Sequence, residues 1–144
     1  MLLAQVLTLA CCRFLAADSF FPFLSAFLIM LNWKPPVTSL LFNLQRAGFS
    51  LVAVHDGAET IKVSKVSQHA QRKEAAETIV SVDDAILYIA KGENRAAIYV
   101  CLMNDPDEIV ADFAAPSILH DQLDVAIDKF CKVWEGKQCP SVVA

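Results

Sequence analysis

Between residues 85 and 113, three apolar runs of strand length are separated by two short polar breaks. Residues 85–91 end at Gly92-Glu93-Asn94, residues 95–103 end at Asn104-Asp105-Pro106-Asp107-Glu108, and residues 109–113 follow. Strand-length runs joined by turn formers predict an antiparallel meander. Gly92 and Asn94 give a short hairpin loop its permissive backbone. Pro106 suits the second position of a type I turn opened by Asp105.

Upstream, Leu40, Leu41, Leu44 and Ala47 form one helical stripe. Pro35-Pro36 is a rigid break before it, Thr38 or Ser39 can cap it, and Gly48 follows where a helix C-terminus favours a left-handed residue. Residues 49–54 are apolar enough for a buried strand, His55-Asp56-Gly57-Ala58 turns the chain, and residues 60–64 alternate as a half-exposed strand does. Ala76, Ile79 and Val80 give a thin apolar face that predicts a helix over about 72–80, preceded by a polar stretch in which Ser67 is a second candidate cap. After Pro116-Ser117, the residues Leu119, Leu123, Ala126, Ile127, Phe130, Cys131 and Trp134 recur at helical spacing, and Gly136 stops that helix. The order α-β-β-α-β-β-β-α predicts an α+β domain: an antiparallel sheet of about five strands with helices packed on one face.

Residues 1–31 differ from the rest. Their charges are Arg13 and Asp18 alone, yet they hold five of the nine Phe residues, so residues 32–144 carry the whole net charge of -4. No basic stretch precedes the apolar run, as a secretory signal requires. Thr8 stands where a lipoprotein-type cleavage box ending at Cys11 prefers Leu. Residues 14–31 approach the length of a transmembrane helix but contain Asp18 and Pro22. Three expectations stay open: a leader ahead of a soluble protein that opens at Met30, a membrane-attached segment, or an additional apolar helix. The domains expected are thus the apolar segment 1–31, a single α+β domain over 32–137, and a short tail over 138–144.

With 144 residues, 56% of them hydrophobic, the chain is long enough to bury a core and too apolar to be disordered. Its acidic balance argues against direct nucleic-acid binding. Cys11, Cys12, Cys101, Cys131 and Cys139 are odd in number, and no CxxC pair or zinc-type spacing occurs, which fits thiols in a reducing cytoplasm. Tyr99, Cys101 and Met103 alternate onto one strand face, which reads as packing. His55, His69 and His120 are scattered, His55-Asp56 has no nucleophile at a recognisable spacing, and no Gly-rich phosphate loop is present. No catalytic residue, metal ligand or cofactor site is therefore assigned.

The meander does predict one constellation. Antiparallel pairing brings the end of its second strand beside the start of its first, so Asp83 and Asp84 share a sheet rim with Asp105, Asp107 and Glu108. Such carboxylates suit a basic protein partner, a hard cation held for hydrolysis, or simply well-solvated turns. The block over 100–113, with Asn104-Asp105-Pro106-Asp107-Glu108 at its centre, and Trp134-Glu135-Gly136-Lys137 after the closing helix resemble small uncharacterised bacteriophage and prophage proteins, over about residues 32–137. That resemblance implies a setting and no activity. The expected function is a small non-enzymatic cytoplasmic accessory protein that binds another macromolecule, with a basic protein surface as partner class. Attachment to a membrane through residues 1–31 and a divalent-metal-dependent hydrolase are the alternatives.

Overall fold

The computed structural model describes residues 21–102 and 105–137. Chain contacts divide it into two units, Met1–Leu31 and Asn32–Ala144. The expectations placed on residues 1–20 and on the tail 138–144 lie outside the described residues. Among the described residues, three α-helices and five strands follow one another in the expected order: α1 (Phe21–Arg46), β1 (Ser50–His55), β2 (Thr60–Lys62), α2 (Gln68–Val80), β3 (Asp84–Lys91), β4 (Asn94–Cys101), β5 (Val110–Ala114) and α3 (Ser117–Trp134). A 3-10 turn, Pro106–Glu108, precedes β5. The strands form one antiparallel sheet in the order β2-β1-β3-β4-β5, so the β1–β2 hairpin joins the meander through β1.

Alternation along β3 and β4 sorts their side chains onto two faces, one of which is core. Ala85, Leu87 and Ile89 are buried, as are Ala96, Ile98 and Val100, while every second residue between them is not. Successive strand side chains point to opposite faces, so these six form one apolar surface. The helices meet it with Val37, Leu40, Leu41 and Leu44 of α1, Ala75, Ala76 and Ile79 of α2, and Leu119, Leu123 and Phe130 of α3. Those residues recur every three or four positions, which gives each helix a single inward stripe. Trp33 and Trp134 pack against the same cluster from its margin.

Polar contacts tie all three helices near their ends. Gln45, 6% exposed, donates from Nε2 to the Gln71 Oε1 at 3.2 Å and accepts from the Arg72 Nη1 at 2.6 Å, which joins α1 to α2. Lys91 reaches from the end of β3 to the Ala47 carbonyl at 2.8 Å and to Gln122 Oε1 at 2.6 Å on α3. Gly48, with φ of +91°, turns the chain beneath it. A Cβ on Gly48 would stand 3.3 Å from the Lys91 Cε, in a backbone conformation that L side chains avoid.

Boundaries differ from the sequence reading by more than one residue at four places. Pro35 and Pro36 do not break the chain; they lie inside α1, which continues through the expected cap at Thr38 or Ser39. Proline's fixed φ is compatible with helix, and the loss is confined to two amide donors and crowding of the preceding turn. The middle helix begins at Gln68 rather than near 72, because the Ser67 hydroxyl accepts from the Ala70 amide at 3.2 Å and so satisfies a first-turn donor. Its first turn is polar because it faces solvent, where helical periodicity leaves no apolar trace. β2 stops at Lys62, and β4 stops at Cys101 rather than at residue 103.

Phe130 is fully buried beneath the sheet. Phe130→Ala is expected to lower unfolding free energy by about 3–5 kcal/mol, because the vacated volume is enclosed on every side. Urea unfolding followed by circular dichroism measures it; a loss below about 1 kcal/mol would mean that this ring is not part of the core.

Candidate functional site

Two surfaces stand out once the helices are in place. The first is the sheet end predicted from the meander. Asp84 pairs with Cys101 across β3 and β4, the Leu102 amide donates to the Asp83 carbonyl at 2.8 Å, and the Cys101 amide donates to the Ile109 carbonyl at 2.8 Å. This backbone register puts Asp83 and Asp84 at the end of the sheet where the 105–109 segment enters. Asp83, Asp84, Asp105 and Glu108 are exposed. Asp107 is half-buried in the 3-10 turn, which packs against α3, and its charge acts on Cys131. The five carboxylates thus share an end without converging on one point. Among the described residues, no three His, Cys, Asp or Glu side chains are grouped so as to hold a metal ion.

The turn chemistry explains why this end is acidic. Asp105 precedes the 3-10 turn with an extended backbone, and the Glu108 amide donates to its carbonyl at 2.9 Å. Asp56 plays a related part at the β1–β2 hairpin, where its Oδ1 accepts from the Glu59 amide at 2.8 Å and the Ala58 amide at 2.9 Å. Those two amides hold the Asp56 carboxyl below its ordinary pKa.

The second surface is the side of the sheet away from the helices. Backbone register places Thr60, His55, Ile86, Tyr99 and Asp112 in one row across the five strands, and Lys62, Ala53, Tyr88, Ala97 and Ala114 in the next. Beyond these rows lie Asp84 with Cys101 at one end, and Ala90 with Arg95 at the other. Tyr99 is 41% exposed, and Lys62, Arg95, Asp84 and Asp112 are exposed as well. A groove of about 410 Å³ runs past His55, Ile86, Tyr99 and Asp84. A second groove, of about 560 Å³, runs past Val52, Tyr88, Lys62 and Arg95. A bulge in β1 between Leu51 and Ala53 lies along that second groove.

This face escaped the sequence reading. Tyr99 and Cys101 alternate as packing residues do, and both sides of β3 and β4 are rich in apolar side chains. The signal that marks the side opposite the described helices is charge: Asp84, Arg95, Lys62 and Asp112 fall on the Tyr88–Tyr99 side once register is known.

The three histidines occupy three different elements. His55 Nδ1 lies 3.3 Å from Thr60 Oγ1, His69 is exposed on the first turn of α2, and His120 stacks at 5.0 Å on Phe113 with its Nδ1 3.9 Å from Asp121. Among the described residues, no helix is long and apolar enough to cross a membrane. Compared with protein-family models, with curated proteins and with solved structures, the chain matches none.

Cys131 is a poor nucleophile in this setting. Burial pushes its thiol pKa up, and the nearby carboxylates of Asp107 and Asp128 push it further. At pH 8 the folded chain should therefore react with iodoacetamide at Cys131 more slowly than the urea-unfolded chain does. Peptide mass mapping reads this directly; equal rates would show the thiol to be open and unperturbed.

Proposed function

We propose that this chain is a small non-enzymatic accessory protein of phage or prophage type, acting in the cytoplasm by binding another macromolecule. Its docking end is the acidic one, and the partner class is a basic protein surface. The observation that carries this reading is the register that sets Asp83 and Asp84 beside the 105–109 entry. Exposed carboxylates of one sign steer a complementary surface into register, and the attraction weakens as salt screens it. Screening also keeps the mutual repulsion of exposed like charges small, so the fold tolerates them.

An arginine-rich peptide serves as the probe. Titrated into the isotopically labelled chain at low salt, it should shift the amide resonances of Asp83, Asp84, Asp105 and Glu108, and the shifts should fade as salt rises. Asp83→Asn combined with Asp105→Asn should weaken binding without lowering the melting temperature, since neither carboxylate forms a cap or an ion pair. Shifts that spread equally over Asp121, Asp124 and Asp128 of α3 would overturn the assignment, because any acidic surface would then do.

A further inference from the structure

We infer that the sheet face opposite the described helices is a self-association surface, and that its occupant is a second copy of this chain. This goes beyond the docking end described above, with which it shares Asp84. Four rows of side chains cross β3 and β4 on this side: Asp84 with Cys101, Ile86 with Tyr99, Tyr88 with Ala97, and Ala90 with Arg95. The charges are sorted along them. Asp84 and Asp112 lie towards one end, and Lys62 and Arg95 lie towards the other.

A two-fold axis across the strands, midway between the second and third rows, lays the acidic half of each copy over the basic half of the other. Ile86 then stands over the partner's Tyr88, and the Tyr99 ring over the partner's Ala97, large against small. Asp84 comes over the partner's Ala90, one strand from the partner's Arg95, and symmetry repeats each contact. Aligned sheets pack about 10 Å apart with their strands rotated by about 30°, a separation that side chains of this length span. A two-fold interface must be complementary to itself, and a face split into halves of opposite charge meets that condition.

The area sets the strength. Five strands at about 4.8 Å and three two-residue steps at about 6.7 Å make a face of roughly 24 by 20 Å. Two such faces bury on the order of 1,000 Å² in total, the low end for a specific interface. The dimer is accordingly weak and concentration-dependent.

Sedimentation velocity of the full chain over rising concentration is the test. The expected result is a growing fraction at twice the 15.8 kDa of one chain. Tyr99→Asp should raise the dissociation constant by about tenfold or more while leaving thermal unfolding of the monomer unchanged. Asp84→Arg and Arg95→Asp should each weaken association, and the two together in one chain should restore it. A chain that stays monomeric up to about millimolar concentration overturns the inference. So does a dimer indifferent to all three substitutions, which would associate through some other surface. Single reversals that weaken a dimer which the paired reversal does not recover would overturn the two-fold arrangement.

Discussion

The two-residue alternation of β3 and β4 is the constraint on which the rest of this protein depends. It hands Leu87, Ile89, Ile98 and Val100 to the helices and leaves Ile86, Tyr88, Ala97 and Tyr99 on the other side. A slip of one residue in either strand would exchange the two sets and place Arg95 or Asp84 against the core. The eight paired positions from Asp84↔Cys101 to Lys91↔Asn94, closed by the hairpin at Gly92, hold that register. Lys91 then makes the register matter to the helices as well. Its place on the core side lets one ammonium reach the end of α1 and the first turns of α3 together.

The helices are coupled to the sheet mainly by aliphatic packing, which is strong but indifferent to small sliding motions. The few buried polar contacts supply direction. Gln45 finds its partners on α2, at the Gln68 carbonyl, Gln71 and Arg72, and Arg72 also lies 5.3 Å over the ring of Phe42. A partly satisfied amide at that depth would be costly, so the network specifies one placement of α2 on α1.

Much of this architecture could be read from the chain itself. The turn residues at 92–94 and 104–108 punctuate apolar runs so clearly that the meander follows from them, and Leu119 to Trp134 announce α3 by spacing. The tandem proline misled because its usual effect as a breaker outweighs, in sequence, its own helix-compatible φ. The start of α2 was muted for a different reason: its first turn touches solvent, and only the Ser67 cap marks it. Apolar residues on both sides of β3 and β4 concealed the face opposite the described helices, because alternation defines two faces without saying which one receives the helices. The acidic end was legible in outline, but the action of the Asp107 charge on Cys131 follows from how the 3-10 turn packs on α3, a tertiary contact with no local signature.

The margins of the sheet carry a further consequence. β2 is three residues long and carries Lys62, while β5 meets β4 through a register shift between Tyr99 and Val100 and exposes Asp112. Short, charged and bulged margins offer little backbone for an incoming strand to pair with. Growth by adding strand to strand has no natural end and leads towards fibres, whereas stacking face on face is exhausted once each face is used. By blunting both borders, the sheet favours association through its face, a form that terminates.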